Sequence, residues 1–514
     1  CQESTFSVLG YQNKWDAPNA ALPPGLKKEG YLILTLSHVV KWMAEQLEAR
    51  SNTLENVNLD ILPGFAAHHV IFEKGTDGEE RVAGVQVVAN PEGNPDEENL
   101  YAKVTVFGDK GFVSQDVVQH FELRNNPQLW SVGVKEVWEI PAERAQSLKG
   151  KVWHTMGYPM VDGSFGGGFV YGMDQNRLTI GLVISLDSEN PNLNPQQALQ
   201  NYKRHPWIQE LIADGKLLKY GAATLPEGGY YSLPQRFAVN GAMLVGDALG
   251  VLDIATLAGI DKAMESGYQA AEVLHRAFQG DSCFDSVLQD TYKQKVMNSH
   301  IGQSLYDNRY FRQAWKENPR LLQRYLPCVM ESIDQSTASL NGVMGLISVG
   351  LKHNPIVAIQ DALRLKSLLD GHADLGAITY QTDASHIRAD FKVPDGIRVR
   401  DLPEPKDKET LYSRPDAVFY AGPAYHEGNA HIDEFNADVC MACIQTYKSN
   451  GKETPCVSDC TAEVHRVDIV DDMRRHGMSL ENCIQCRTCE FVCPEENLRV
   501  NPAEQGSGPD FIGL

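Results

Sequence analysis

Eight of the eleven cysteines in this 514-residue chain lie between Cys440 and Cys493, and their spacing restricts what the C-terminal segment can fold around. They form two groups, Cys440-x2-Cys443-x12-Cys456-x3-Cys460 and Cys483-x2-Cys486-x2-Cys489-x3-Cys493-Pro494. The second group has the spacing of the bacterial iron–sulfur run. A cubane needs four thiolates converging on its corners. Two-residue spacers let one loop wrap three corners, and in two-cluster proteins the last Cys of each run ligates the other cluster. The rule predicts two [4Fe–4S] sites, one of Cys460, Cys483, Cys486 and Cys489, the other of Cys440, Cys443, Cys456 and Cys493. The x12 spacer is longer than the compact motif, so one cluster is expected and a second is implied where the longer spacer is accommodated.

Zinc and disulfides compete for the same residues. Zinc sites usually use two separated Cys-x2-Cys pairs, and a triple run ending in Cys-Pro fits them poorly. Disulfides need an oxidising compartment, and no export signal is visible. Cys1, Cys283 and Cys328 are scattered and read as ordinary thiols. The chain begins with Cys rather than Met, so we expect residues upstream of it.

Composition narrows the function further. The formal charge is 46 − 67 = −21, which excludes nucleic acid as the main partner, because phosphate binding needs clustered Lys and Arg. A mean hydropathy of −0.32 and the lack of an apolar run near 20 residues exclude a polytopic membrane protein.

The preceding 400 residues mix strand and helix periodicities, so the expected class is α/β. Val39, Trp42, Met43 and Leu47 share one helical face. Val57, Leu59 and Ile61 alternate like a strand, and Val82 to Ala89 and Lys103 to Phe107 also read as strands. Two strands run into Gly-Asp turns, at Gly108-Asp109 and Gly246-Asp247. The second leads to a helix from about Gly259, with Ile260, Met264, Ala271, Leu274 and Phe278 on one face. Such turns suit a phosphate or a ribitol, because Gly lets the backbone approach closely and the carboxylate accepts hydroxyl hydrogen bonds. No Gly-x-Gly-x-x-Gly occurs. Residues 340–351 are apolar but too short to span a bilayer, and 355–369 is amphipathic; the pair reads as two core helices or as a dip into one leaflet. Residues 388–416, rich in Pro and charge, read as a linker.

With these pieces in place the sequence resembles the electron-transfer flavoprotein:ubiquinone oxidoreductase family and the related quinone reductases linked to nitrogen fixation. The resemblance covers nearly the whole chain. It rests on ordered blocks such as ILPGFAAHHVIFE (61–73), FELRNNPQLWSVGVKEVWEI (121–140), FGGGFVYGM (165–173), KYGAATLPEGGYYSLP (219–234) and MLVGDALGVLDIATLAGIDKAMESG (243–267). It implies a glutathione-reductase-type FAD-binding domain (1–120 and 235–385) with an inserted quinone-binding domain (121–234). It also implies monotopic membrane helices near 335–370, a linker at 386–425 and a ferredoxin-like iron–sulfur domain at 426–514. Gly108, Asp109, Gly246, Asp247 and Gly259 are implied FAD contacts, and Gly166 and Gly167 quinone contacts. Cys460, Cys483, Cys486 and Cys489 match the family's cluster ligands. The implied activity passes electrons from the reduced flavoprotein through [4Fe–4S] and FAD to membrane ubiquinone or menaquinone. The implied place is the cytoplasmic face of a bacterial inner membrane or the matrix face of the mitochondrial one. No acid–base catalytic residue is expected.

The chain departs from the family pattern at four points. The N-terminal glycine fingerprint is missing, Thr35 replaces a usual Arg, Thr461 rather than Pro follows Cys460, and Cys493 replaces a common Asp. Two other readings stay open: a flavin-dependent prenyl reductase, and a non-catalytic protein with a zinc-bearing interaction tail.

Overall fold

The computed structural model describes residues 1–317, 325, 354–369, 432–433 and 436–500, apart from breaks at 11, 18–21, 56, 64, 76–77, 89–96, 161–163, 188–193, 280–283, 463, 471–472 and 479–482. The linker at 386–425, the apolar segment 340–351, Cys283 and Cys328 therefore lie outside the described residues.

Strands β1 (Glu3–Leu9) and β2 (Lys14–Asp16) open the chain, followed by helix α1 (Leu36–Ser51). Strands β3 (Ala66–Lys74), β4 (Glu80–Val88), β5 (Glu97–Tyr101) and β6 (Thr105–Phe107) lead to α2 (Ser114–His120). Next come β7 (Trp130–Glu139), α3 (Ala142–Leu148), β8 (Lys151–Gly157), β9 (Gly166–Gly172) and β10 (Arg177–Ser185). Helices α4 (Pro195–Arg204) and α5 (Pro206–Ile212) precede β11 (Lys216–Pro226). The chain continues through β12 (Ala238–Val239), β13 (Ala242–Leu244), α6 (Gly246–Leu249), α7 (Ile260–Phe278), α8 (Ser286–Asn298), α9 (His300–Asp307), α10 (Phe311–Glu317) and α11 (Pro355–Leu369). The cysteine lobe holds β14 (Ile432–Asp433), α12 (Ala437–Ser449), α13 (Pro455–Ser458), the hairpin β15 (His465–Val470) and β16 (Met473–Met478), α14 (Thr488–Phe491) and β17 (Arg499–Val500).

A seven-stranded sheet, ordered β11-β7-β10-β9-β8-β1-β2, forms the largest body. The N-terminal strand β1 lies in it, parallel to β8, so the first residues belong to this sheet rather than to the 1–120 unit expected from sequence. Alternation puts Val132, Val134, Glu136 and Trp138 of β7 on the same face as Leu178, Ile180, Leu182 and Ile184 of β10, which register opposite them. That face packs with Leu199 and Tyr202 of α4, with α5, and with Cys460, Val464, Cys483 and Ile484 of the cysteine lobe in one core. Helix α4 starts where Asn194 accepts a hydrogen bond from the Gln197 N–H and Pro195 takes the first helical position.

A second core gathers around the small sheet β12-β13-β6, the meander β3-β4-β5 and helices α7 to α9. Here two sequence expectations are corrected. Residues 57–62 are not a strand, because they pair with no neighbour and alternation alone does not satisfy a backbone. Helix α7 forms where expected but buries a different face. Lys262, Ser266, Ala270, Val273 and Ala277 point inward, while Ile260, Met264 and Phe278 are exposed. The small side chains let α7 approach the β13 end closely: the Gly246 N–H donates to Ser266 Oγ at 2.9 Å, and Tyr292 of α8 donates to the Leu244 carbonyl at 2.8 Å. Helix α1 also forms, and none of its residues is buried.

Candidate redox-cofactor sites

Around the triple cysteine run the backbone turns through left-handed conformations at Gln485 (φ 53°) and Arg487 (φ 62°). These are uncommon for residues with a Cβ, and they fold the two-residue spacers so that N–H groups face inward. The Gln485 N–H donates to Cys483 Sγ at 3.4 Å. From the other side Cys460 follows α13, and the Val464 N–H donates to its Sγ at 3.2 Å. Thr461 Oγ1 lies 3.2 Å from Cys486 Sγ and Thr488 Oγ1 lies 3.3 Å from the same sulfur. Cys489 lies within electrostatic reach of Cys486, Cys483 and Cys460. The structure thus brings Cys460 to the 483–489 loop. Burial drives the Cys460, Cys483 and Cys489 thiols above their usual range, so a cation must compensate before they ionise. None of the described cysteines is in a disulfide. Four converging sulfurs with N–H and O–H donors fit the donor set of an iron–sulfur cluster.

This loop also touches both other parts of the molecule. Tyr220 of β11 donates to the Thr461 carbonyl at 2.8 Å, and Phe491 stacks on Trp130 at 4.0 Å between ring centroids. Toward the small sheet, the buried Arg487 guanidinium sits 4.2 Å from the Phe112 ring centre, and Arg499 pairs with Asp116 at 3.0 Å. Gly111 (φ +80°) lies against the Trp130 ring beside Arg487, in a backbone conformation that favours glycine. Arg487 pairs with Glu490 through Nε, while its Nη1 is buried with no hydrogen-bond partner.

The two Gly-Asp turns lie side by side, because β6 and β13 pair in parallel with Phe107 opposite Leu244. Both turns leave the carboxyl ends of adjacent parallel strands, the position where open α/β sheets bind ligands. Asp109 Oδ2 accepts the Val113 and Ser114 N–H groups, whereas Oδ1 is buried without a partner. The Asp247 carboxyl is pushed above its usual range mainly by burial, with Lys110 opposing the rise and Asp109 adding to it. Gly246 (φ +53°) packs against Ala263 in the first turn of α7, and Gly259 forms that helix's N-cap. An orphaned acceptor, a second carboxyl and a helix N-terminus close to a glycine backbone fit the ribityl–phosphate part of a flavin nucleotide.

Gly166 and Gly167 lie within β9, not in a loop. A Cβ there would meet the Val183 and Thr155 carbonyls, so sheet packing alone requires glycine at both positions. Near the start of β9, Phe165 lies 5.3 Å from the Arg312 guanidinium. Arg312 lines a pocket with Glu227, Gly228, Gly229, Tyr230 and Asp253. Glu227 is buried, which raises its carboxyl, while the Arg312 pair at 3.4 Å opposes the rise. Nothing in the sequence flags this network: Arg312, Glu227, Asp187 and Ser131 are distant in the chain and belong to no motif. The second cysteine set also converges, with Cys440, Cys443, Cys456 and Cys493 lining one pocket.

Comparison with known proteins identifies the sheet body first. Residues 130–225, the span of β7 to β11, match the family model described as ETF-QO, ubiquinone-binding. The chain therefore carries a ubiquinone-binding domain of an oxidoreductase. Beyond that domain, it aligns end to end with named relatives. It is 29% identical to the probable mitochondrial electron transfer flavoprotein-ubiquinone oxidoreductase of Schizosaccharomyces pombe, over 95% of this chain and 71% of the relative. It is 25% identical to the probable enzyme of that name from Acinetobacter baylyi, over 100% of this chain and 85% of the relative. Identity to the human mitochondrial enzyme is 27%, over 100% of this chain and 77% of the relative. Along nearly its whole length the chain is similar to electron transfer flavoprotein-ubiquinone oxidoreductases of bacteria and eukaryotes. Among solved structures, a geranylgeranyl bacteriochlorophyll reductase-like protein of Thermoplasma acidophilum shares 17% identity at a TM-score of 0.39, over 57% of this chain and 68% of that one.

Proposed function

We propose that this chain carries electrons from reduced electron-transfer flavoprotein to a membrane quinone, ubiquinone or menaquinone. In this reading Cys460, Cys483, Cys486 and Cys489 hold a [4Fe–4S] cluster, and the Gly108-Asp109 and Gly246-Asp247 turns hold FAD. The observation that carries it is the junction at Arg487. This residue follows the cluster-loop Cys486, packs against Phe112 beside the first Gly-Asp turn, and belongs to a lobe whose Phe491 stacks on Trp130 of the ubiquinone-binding domain.

When bound, a cluster exchanges single electrons, a flavin exchanges one or two, and a quinone takes up two. The chain's own residues place and bias these groups. The Gln485 and Val464 N–H groups and the Thr461 and Thr488 hydroxyls donate to sulfur, which favours extra negative charge there. The buried Arg487 guanidinium, paired with Glu490, lies between the cysteine loop and the turn at Gly111 and keeps an unused N–H donor at Nη1. Asp109 Oδ1 and Asp247 would accept flavin hydroxyls, and the α7 N-terminus behind Gly259 would face the phosphates. The quinone would lie in the 121–234 unit, with Gly166 and Gly167 keeping the start of β9 free of side chains.

Membrane attachment would be monotopic, on the cytoplasmic face of a bacterial inner membrane or the matrix face of the mitochondrial one. Helix α11 supports this with Ile356, Ile359 and Leu363 exposed at i, i+3 and i+7 and with basic Arg364 and Lys366 nearby. No helix among the described residues is long and apolar enough to cross a membrane. In domain terms the reading makes 235–385 with most of 1–120 the flavin part and 426–514 a ferredoxin-like part.

The test is anaerobic purification of the full-length protein, with flavin, iron and sulfide assayed and quinone reduction followed in liposomes after adding reduced electron-transfer flavoprotein. Bound FAD, iron with equal sulfide, and quinol formation are expected. A preparation without iron, or one that reduces a prenyl double bond and no quinone, would overturn the reading.

A further inference from the structure

The four cysteines outside the family's ligand set are too well arranged to be spectators. Cys440 and Cys443 stand one turn apart on α12, Cys456 lies in α13, and Cys493 follows α14. They line one pocket. A buried side chain, Asn497, holds this set together. Its Nδ2 donates to Cys440 Sγ at 3.1 Å and to the Asn436 carbonyl at 2.9 Å, and its Oδ1 accepts the Asn436 N–H at 2.9 Å. Its own N–H donates to Cys493 Sγ at 3.3 Å. One residue thus fixes the start of α12 and points two N–H donors at two different sulfurs. Hydrogen bonds of that kind stabilise thiolates bound to a cluster and are wasted on neutral thiols.

We infer that Cys440, Cys443, Cys456 and Cys493 hold a second [4Fe–4S] cluster, adjacent to the first and farther from the seven-stranded sheet. Cys460, Cys483 and Cys486 of the first set pack in the core of the seven-stranded sheet, whereas Cys456 and Cys493 pack against Leu498 and Val500. The two sets are neighbours, since Cys456, Cys489 and Cys493 all pack against Leu498 and Val500. The exchange of last cysteines agrees with this, with Cys460 leaving its own run for the 483–489 loop and Cys493 leaving its run for α12. A cluster held by these four cysteines would supply a one-electron station between a one-electron reductant, such as a reduced flavoprotein, and the site at Cys460, Cys483, Cys486 and Cys489, with no proton and no bond change. This role rests on the relay reading above.

A mononuclear metal is the competing occupant. Ligand atoms of Cys456, His465 and His476 lie within 4.8 Å of one another. Those rings already share a nitrogen–nitrogen contact of 2.9 Å, and such a site would leave Cys440, Cys443 and the Asn497 donors without a role.

Iron, acid-labile sulfide and zinc are measured on the full chain purified anaerobically, alongside low-temperature EPR after dithionite reduction, for the wild type and Cys443→Ser. About eight iron and eight sulfide per chain are expected, falling by half in Cys443→Ser. The reduced wild type should show a spectrum broadened by interaction between two paramagnets, collapsing to one simple signal in the variant. Should Cys443→Ser not fold, the wild-type iron count and broadening decide alone. About four iron with no interaction signal, or about four iron with one zinc, overturns the second cluster and leaves the first intact. Absence of iron overturns both.

Discussion

The two cysteine sets each gather four thiols, three from one run and the fourth from the other, in different surroundings. The set built on Cys460 and the 483–489 loop packs into the core of the seven-stranded sheet, and the neighbouring Thr461, Phe491 and Arg487 touch Tyr220 of β11, Trp130 of β7 and Phe112 in the turn before α2. The set built on α12 takes its polar support from Asn497 and Asn436, inside its own lobe. The difference teaches that ligand spacing is a local property, while the setting that tunes a metal site is supplied by whatever the lobe docks against.

The largest test removes the inner set. Cys486→Ala should abolish the inner cluster and quinone reduction driven by the flavoprotein while the α12 set keeps its iron; iron assay and turnover measure this. Retention of full iron and activity would show that the inner set is not the working one.

Next in size is the sheet on which the inner set rests. Lys203 and Glu136 form a buried pair at 2.8 Å, and Trp138 Nε1 donates to the second Glu136 oxygen at 2.8 Å. Lys203→Met leaves a buried carboxylate unpaired and should destabilise the protein by about 3–5 kcal/mol, with Lys203→Met/Glu136→Gln recovering most of that loss. Thermal unfolding followed by circular dichroism reads both. If the sheet is the inner set's support alone, Lys203→Met should release iron from the inner set before the outer.

Acid should act on the sheet as well. Burial lowers His154 to about 4 and His205 to about 4, with backbone hydrogen bonds opposing the shift at His205. His205 Nδ1 accepts the Trp207 N–H as the cap of α5, so a proton there would remove the acceptor. The unfolded chain binds these protons near pH 6.5 and the folded chain only near pH 4. Stability is therefore lost as pH falls through that window, by up to about 1.4 kcal/mol per pH unit for each histidine. A His154→Phe/His205→Asn variant should flatten the slope of denaturation midpoint against pH between about 6.5 and 4.

The smallest effect is on potential. Thr461→Val removes a hydroxyl 3.2 Å from Cys486 Sγ. Losing a hydrogen bond worth about 0.5–1.5 kcal/mol should lower the inner cluster's midpoint by about 20–60 mV, because the reduced state carries more negative charge. Tyr220→Phe, acting through the Thr461 carbonyl, should shift it less, and the outer cluster should not move. Redox titration followed by EPR resolves the two; an equal shift in both would erase the contrast between the sets.

Much of this molecule was legible before any coordinates. The β4 and β6 strands, helix α7 and helix α11 stand where periodicity puts them, and the exchange of Cys460 and Cys493 follows from a rule about spacing. Where the reading failed, a distant partner decided. Residues 57–62 alternate but find no strand to pair with, and α7 turns its small residues inward because Gly246 and Tyr292 crowd that side.

The chain alone determined its chemistry-bearing residues, because cysteine spacing and strand-to-glycine turns act over a few residues of covalent geometry. Tertiary structure decided which groups surround them. Arg487 at Phe112, Tyr220 at Thr461 and Arg312 at Glu227 join segments tens to hundreds of residues apart. Such contacts depend on how whole elements pack, and no local pattern encodes them.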